Sequence, residues 1–333
     1  MAKKIAINGF GRIGRAAFKV ALEKPDLEVV AINDLTEASV LAHLLQYDTA
    51  YGRYAKEVSV GEKGIIVDGK EYPIYAEPDP KKLPWSELQV DVVLECTGRF
   101  TDKDAARQHV DAGAKKVILS APSKGDDGSI PMFLMGVNDE SYQGEALLSN
   151  ASCTTNSLAP VAQVLHKKFG IAKAIMTTIH SYTADQNLQD GPHKDLRRAR
   201  AAAQNMVPTT TGAALAVTQV MPELQGLFDG LSVRVPTIVV SLTDFTFVLK
   251  KKVTREEVNA VLVEASKSVR YEKVLAVTDA PLVSSDFIGN PYSSTVDLSL
   301  TKVIDGDLVK VVAWYDNEWG YSNRLVEMAA LVG

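Results

Sequence analysis

The feature that most constrains the fold lies near the start of the chain: Gly9-Phe10-Gly11-Arg12-Ile13-Gly14, set directly after an apolar run and directly before a helical pattern. Residues 3–8 (Lys-Lys-Ile-Ala-Ile-Asn) predict a short buried strand, and the pattern through Phe18 and Leu22 predicts a helix. A second buried strand is predicted from Glu28 to Asn33, ending in Asp34, 20 residues beyond Gly14. Each part has its own physical reason. Gly9 permits the tight turn, Gly11 lets the backbone approach a pyrophosphate, and Gly14 lets helix and strand pack closely. The helix start offers N–H groups to phosphates. Asp34 is placed to bind the adenosine ribose hydroxyls and to repel a 2′-phosphate. An incidental glycine-rich turn would explain neither the flanking elements nor the spaced acid.

The following residues continue the pattern. Ala38 to Leu45 reads as helix. Val58 to Tyr75 alternates and carries turn signals at Gly61, Gly64 and Asp68-Gly69, which predicts short antiparallel strands. Pro78, Pro80 and Pro84 mark a loop. Asp91 to Cys96 reads as a buried strand, Thr101 is expected to cap a helix through Ala112, Gly113 stops that helix, and Val117 to Ser120 is the next strand. This further βαβ unit is what a doubly wound sheet requires. Thr97, Gly98 and Ser120 fall at carboxyl ends of strands, where such sheets bind ligands. Cys96 reads as a small core residue.

A second chemically informative stretch is Ser149 to Ser157, with Cys153 just ahead of a helical pattern that carries Leu158, Val161 and Leu165 and closes at Gly170. Thr154 and Thr155 are expected as caps. Helix-start N–H groups would stabilise the Cys153 thiolate, the reactive form; the competing reading is a buried structural cysteine. His180 lies at the end of a strand predicted from Ala172 to Ile179, within reach of a cysteine at a helix start. His43, His109, His166 and His193 read as packing or loop residues. Gln186 to Gln204 is polar and carries Lys194, Arg197, Arg198 and Arg200, either a solvated face, a phosphate clamp or a subunit contact. Pro208-Thr209-Thr210-Thr211-Gly212 precedes an apolar helix, so it is either an anion site or a plain cap. Leu231 to Val235, Ile238 to Leu249 and Ser294 to Leu300 read as strands with hairpin-type spacing, and Arg234 within the first needs a partner or a ligand. Thr254 to Ser268 reads as a helix with Glu257 completing a capping box. A strand from Leu308 to Trp314 and a helix from Tyr321 to Val332 end the sequence.

Composition narrows the function classes. The 333 residues are enough for about two domains, and the shift from βαβ spacing to antiparallel strands puts a boundary near Cys153. A net charge of -5 argues against general nucleic-acid affinity. The two cysteines have neither metal-ligand spacing nor the number for a disulfide framework, which fits a reducing cytosol. Only four residues separate Lys3-Lys4 from Gly9, so no secretory leader is expected. No apolar run reaches the length of a membrane span.

Asn8 to Arg15, Ser149 to Asn156, His180-Ser181-Tyr182-Thr183, Asp195 to Arg198, Thr210 to Ala214, Arg234 to Thr237 and Trp314 to Glu318 together resemble the motifs of the glyceraldehyde-3-phosphate dehydrogenase family, in the family's order and across essentially the whole chain. The resemblance implies an α/β fold: a Rossmann NAD-binding domain over 1–152, completed by a C-terminal helix at 316–333, and an α+β catalytic domain over 153–315 with a mixed, largely antiparallel sheet. It implies Cys153 as nucleophile and His180 as its base. Arg12, Ile13, Asp34, Ser120 and Asn317 match NAD-contacting positions and join Gly9, Gly11, Gly14 and Thr97 of the cofactor site. Ser152, Thr154, Thr183, Arg198, Thr211, Gly212 and Arg234 match positions that hold the substrate phosphate and the attacking phosphate. The implied reaction is NAD-dependent oxidation of glyceraldehyde 3-phosphate with inorganic phosphate, through a cysteine thioester and without a metal. The implied protein is a cytoplasmic homotetramer without nucleic-acid or membrane partners. Some positions depart from the family pattern. Ser157 replaces a frequent cysteine, Pro78 a frequent arginine, Ala184 a common asparagine, and Ile238-Val239 a usual Pro-Asn. An isoleucine at 238 also occurs in the sister family, erythrose-4-phosphate dehydrogenase, which stays open as the alternative.

Overall fold

The computed structural model describes residues 2–124 and 129–333. The chain separates into two compact units. The first comprises Met1–Met135, Glu140–Ala151 and Ser322–Gly333; the second comprises Gly136–Asp139 and Ser152–Tyr321.

The first unit is built on an 8-stranded sheet. Leu147–Ser149, Lys116–Leu119, Val92–Glu95, Lys3–Asn8, Leu27–Asn33 and Lys70–Tyr75 run parallel in that order, and Gly64–Val67 and Val58–Val60 finish one edge antiparallel. The central residues of the inner parallel strands are apolar and covered: Ile5, Ile7, Ile32, Val93 and Ile118 are all inaccessible. Strand order reverses about Lys3–Asn8, so the switch point of the sheet falls beside Gly9. Helix Arg12–Ala21 follows at once and packs tightly: a Cβ at Gly14 would stand 2.0 Å from the Gly9 carbonyl oxygen. Phe10 and Tyr72 both meet the edge or face of Phe18, with ring centroids 5.5 and 5.0 Å away. One sequence expectation is corrected here, and one element is added. The N-cap of helix Lys103–Asp111 is Asp102, whose carboxylate accepts from the Ala105 N–H, and Thr101 precedes it. The proline-marked loop gives way to a short helix, Trp85–Leu88, which buries Trp85 completely.

The second unit carries a mixed sheet in the order Val207–Thr209, Phe228–Val235, Ile171–Ser181, Ser241–Leu249, Leu308–Tyr315, Ser294–Asp297, Leu275–Thr278, with Lys302–Ile304 also pairing with Leu308–Tyr315. Phe228–Val235 and Ser241–Leu249 do not form the hairpin that their spacing suggests. They flank Ile171–Ser181, the first parallel to it and the second antiparallel. The connection between them is tied across the end of Ile171–Ser181, where the Ser181 hydroxyl donates to the Val240 carbonyl at 2.6 Å and pairs with Thr237 Oγ1 at 3.1 Å. The third segment, read as strand to Leu300, leaves the sheet after Asp297 in a short 3-10 turn. Burial alternates along Ser241–Leu249, with Phe245 and Phe247 on the packed face. Helix Cys153–Phe169 packs on this sheet and on helices Ala213–Val220 and Arg255–Ser266. The capping box at Thr254 and Glu257 forms as expected.

The Gly14 approach generates a direct test. Gly14→Ala is expected to cost about 1–3 kcal/mol of stability through overpacking. A thermal melt unchanged from wild type would contradict the close helix–strand contact.

Candidate active site

The second unit brings a thiol and an imidazole together. Cys153 is the first residue of helix Cys153–Phe169, and His180 is the penultimate residue of strand Ile171–Ser181. Sγ lies 3.6 Å from His180 Nε2. Nδ1 lies 2.7 Å from the Ser181 carbonyl oxygen, which only accepts. Arg234 Nη1, a donor, also lies 3.1 Å from Nδ1, so the carbonyl and the guanidinium compete for that nitrogen; with the ring proton on Nδ1, the Nε2 lone pair faces Sγ. Tyr315 closes the base of the site: its hydroxyl sits 3.0 Å from Thr154 Oγ1 and 2.8 Å from Thr178 Oγ1, and its ring meets that of His180 edge-on. The expected cap is corrected. Ser152, not Thr154 or Thr155, caps the helix, its hydroxyl accepting from the Thr155 N–H at 3.0 Å.

The electrostatics also differ from a thiolate stabilised by the helix start. Burial raises the Cys153 pKa, and it outweighs Arg234 and the Thr154 hydrogen bonds, which lower it. Burial and Arg234 depress the His180 pKa to about 3. At neutral pH the free site is therefore a thiol facing a neutral imidazole, and nucleophilic attack is coupled to proton transfer onto Nε2.

Beside this pair stands a chain of charges. Arg234 Nη1 donates to Thr183 Oγ1 at 2.9 Å and to the Ser181 carbonyl at 3.2 Å. Thr183 Oγ1 donates to Asp185 Oδ1, and Asp185 Oδ2 pairs with Arg198 Nη1 at 2.5 Å. Arg198 also donates through Nε to Thr209 Oγ1 at 2.9 Å and through Nη2 to the Thr210 carbonyl at 3.2 Å. Burial pushes the Asp185 carboxyl up, but the Thr183 bond and both arginines outweigh it and hold it below the usual range. Two guanidinium groups and a helix start at Thr211–Gly212, where Thr211 Oγ1 accepts from the Ala213 N–H, can hold anionic oxygens. Thr154 is turned inward with its hydroxyl on Tyr315. Asn317 Oδ1 accepts from the Ser241 hydroxyl at 3.1 Å, and its Nδ2 has no protein partner among the described residues.

The first unit presents a cradle of the kind a dinucleotide needs. Among the described residues no side chain caps the helix that starts at Arg12, and a helix start of this kind favours phosphate. A Cβ at Gly11 would meet nothing within 4 Å, so its hydrogen preserves space for an approaching group, whereas Gly9 and Gly14 are required by protein contacts. Asp34 Oδ2 accepts from the Phe10 N–H at 2.7 Å, which fixes the acid against the turn. Arg12 Nη1 pairs with Asp48 at 2.6 Å, and Ile13 is half-buried behind the same turn. Thr97 and Ser120 follow neighbouring strands, Val92–Glu95 and Lys116–Leu119, so they share the carboxyl edge with Gly9. Among the described residues there is no cluster of three metal-ligating side chains, and no helix is long and apolar enough to cross a membrane.

Comparison with known proteins gives the family. The family model "Glyceraldehyde 3-phosphate dehydrogenase, NAD binding domain" matches residues 3–103, and "Glyceraldehyde 3-phosphate dehydrogenase, C-terminal domain" matches residues 152–317. The glyceraldehyde-3-phosphate dehydrogenase of Geobacillus stearothermophilus is 56% identical over 334 aligned residues, covering 100% of this chain and 98% of the relative. Glyceraldehyde-3-phosphate dehydrogenase 1 of Bacillus subtilis (strain 168) is 53% identical with the same coverage, and that of Bacillus cereus is 55% identical over 98% of this chain and 97% of the relative. The chain belongs to the glyceraldehyde-3-phosphate dehydrogenase family.

Within this member of the glyceraldehyde-3-phosphate dehydrogenase family, three residues at the site were not legible in the sequence. Asp185 lies two positions after Thr183, where no sequence motif marks it, yet it joins Thr183 to Arg198. Tyr315 lies one residue past the strand predicted from Leu308 to Trp314, and the observed strand includes it. Ser241 links the Ser181 N–H to Asn317. The geometry also separates the two thiols: burial, and then Glu95 beside it, disfavour the Cys96 thiolate, whereas Cys153, also raised by burial, has a base and a cation at hand. Iodoacetamide is expected to label Cys153 far faster than Cys96, at a rate that climbs with pH because burial raises the thiol pKa. His180→Gln should slow that labelling at neutral pH by about a hundredfold, the lower range for a lost base. Peptide mapping that finds Cys96 modified first would refute the assignment.

Proposed function

We propose that the protein oxidises glyceraldehyde 3-phosphate to 1,3-bisphosphoglycerate with NAD and inorganic phosphate, the glycolytic reaction, through a thioester on Cys153. The observation that carries this reading is the 3.6 Å approach of Cys153 Sγ to a His180 ring whose Nδ1 is held on a carbonyl, beside Arg234. Residues 1–152 and 316–333 form the NAD-binding domain, and residues 153–315 form the catalytic domain. Gly9, Gly11, Arg12, Ile13, Gly14, Asp34, Thr97, Ser120 and Asn317 hold NAD. Ser152, Thr154, Thr183, Arg198, Thr211, Gly212 and Arg234 serve the two phosphate groups, with Ser152 and Thr154 acting by shaping the helix start. The relatives named above all carry the glyceraldehyde-3-phosphate dehydrogenase name, which favours glyceraldehyde 3-phosphate.

The chemistry follows from the pair. Cys153 Sγ bonds to the aldehyde carbon as the thiol proton passes by way of His180 Nε2 to the carbonyl oxygen, giving a thiohemiacetal. The Cys153 N–H and the imidazole lower the energy of the developing oxyanion. His180 then takes the hydroxyl proton as the carbon is oxidised to the thioester. The chemistry that NAD would supply, held by the cofactor-site residues named above, is that of a hydride acceptor for that carbon. Inorganic phosphate displaces the sulfur, and His180 returns its proton to Sγ. Arg198 and Arg234 set the distance between the anionic end of the substrate and the thiol, and a displacement of about 1 Å can cost roughly a hundredfold in rate.

The protein is a cytoplasmic homotetramer in this reading. Both cysteines are free thiols, which suits a reducing compartment. One face of the second unit's sheet supports self-association: Ile175, Leu231 and Leu308 lie on it exposed, around the Asp244–Lys310 ion pair. Leu188 and Leu196, both about 80% exposed in the polar loop, add apolar surface that a neighbouring subunit would cover.

Two measurements test the proposal. In side-by-side kinetics, glyceraldehyde 3-phosphate is expected to have a kcat/KM at least about tenfold above erythrose 4-phosphate, on the scale of a missing contact, and steady NADH production is expected to stop when phosphate is replaced by an inert buffer. Full turnover without phosphate would overturn the thioester-phosphorolysis route. Light scattering should give four subunits of 36.0 kDa, and a dilution-independent monomer would contradict the assembly.

A further inference from the structure

His109 reads from the sequence as an ordinary packing residue, but it belongs to a buried polar cluster under the glycine-rich turn. Asn8, Glu95, Trp85 and His109 are each 1% exposed or less. The Trp85 indole N–H donates to His109 Nδ1 at 3.0 Å. An indole nitrogen only donates, so Nδ1 is unprotonated and the ring proton sits on Nε2. Nε2 then donates to Glu95 Oε2 at 3.1 Å. The same oxygen accepts from Asn8 Nδ2 at 2.5 Å. Glu95 Oε1 accepts from the Thr97 N–H at 2.8 Å and from the Thr97 hydroxyl. Four donors therefore converge on one buried carboxylate, which fills its acceptor capacity.

These donors come from separate pieces of chain. Asn8 is the last residue before Gly9, Thr97 opens the turn after strand Val92–Glu95, and His109 lies on helix Lys103–Asp111. The cluster continues outward: Asn33 Nδ2 donates to Asn8 Oδ1 at 2.7 Å and to the Glu77 carbonyl at 3.0 Å. Asn33 is followed by Asp34, and the Gly9 N–H donates to the Asn33 carbonyl at 2.8 Å. Gly9 also packs against Thr97, since a Cβ there would stand 2.8 Å from the Thr97 nitrogen. One network thus joins the carboxyl ends of three parallel strands and the loops that leave them.

We propose that Glu95 is a positioning residue: its buried carboxylate sets the Gly9–Gly14 turn and the Thr97–Gly98 turn in their dinucleotide-accepting geometry before the cofactor arrives. The proposal rests on the assignment of these turns to the NAD site. Preorganisation of this kind raises affinity by removing the cost of ordering loops on binding. A fully satisfied buried network rigidifies, whereas a partly satisfied one is costly. A glutamine at 95 would turn an amide NH2 toward donors on one side or the other, and so leave at least two of them unmatched.

The experiment uses the full chain without NAD, read by amide hydrogen exchange and by calorimetric titration with NAD. In the wild type, the Thr97 amide is expected to be strongly protected without ligand, because its acceptor is the Glu95 carboxylate. Glu95→Gln should lose that protection and bind NAD about tenfold to a hundredfold more weakly, the scale of a lost charged hydrogen bond. Alkylation of Cys153 should be unchanged, which reports an intact second unit. His109→Leu should weaken NAD binding in the same direction. His109→Gln, which keeps a donor for Glu95 and an acceptor for Trp85, should recover most of it. A Thr97 amide that exchanges freely in the wild type overturns the proposal even if the variants do not fold. Equal NAD affinity in folded Glu95→Gln also overturns it, as do equal losses in both His109 variants that track only melting temperature. Failure of NAD to protect the Gly9–Gly14 amides in the wild type would instead remove the site assignment on which the proposal rests.

Discussion

The chemistry of the second unit depends on one contact, the approach of Cys153 Sγ to His180 Nε2. The two residues are far apart in character as well as in sequence: one begins a helix and the other nearly ends a strand. What brings them together is the sheet. Strand Ile171–Ser181 is held on both sides, by Phe228–Val235 and Ser241–Leu249, so its end cannot drift. Its last residue, Ser181, does three jobs there. Its carbonyl meets His180 Nδ1, its hydroxyl ties down the following crossover, and its N–H reaches Ser241. A base that must meet a thiol at hydrogen-bond range is thus mounted on a strand paired on both sides.

Burial shapes both partners of that contact. Desolvation raises the pKa of Cys153 and, with Arg234, lowers that of His180. Both shifts favour the neutral forms, so charge develops only as the reaction proceeds. Fixed dipoles and cations can then act on that charge in a dry site, where they count for more than in water. Arg234 is central here. It lies beside the histidine it helps to keep neutral, and through Thr183 and Asp185 it is linked to Arg198.

The first unit solves a different problem with related means. Phosphate recognition by backbone N–H groups needs a turn that is already in shape, because backbone groups have no side-chain freedom with which to adapt. Glycines allow that shape, and the buried network around Glu95 holds its surroundings. Four neutral donors fix four directions at once, which suits a group that must orient several loops.

The sequence by itself determined the parts governed by local chemistry. The glycine spacing at Gly9, Gly11 and Gly14 has a local steric reason, and it located the first strand, the turn and the helix. The capping box at Thr254 and Glu257 and the stop at Gly113 are similarly local, as was the place of Cys153 at a helix start. What neighbours decide stayed hidden. Caps at Ser152 and Asp102, each next to another plausible hydroxyl, were resolved only by which side chain reaches back to an N–H. The supposed hairpin was illegible because β-branched runs specify strands but not partners, and the strand between its two halves comes from much earlier in the chain. The direction of the Cys153 shift reversed because a helix start is local, whereas desolvation is a sum over everything packed around the thiol. Asp185, Tyr315 and the Glu95–His109 cluster became visible for the same reason: a polar residue's role is set by the groups that meet it, and those are chosen by the tertiary fold.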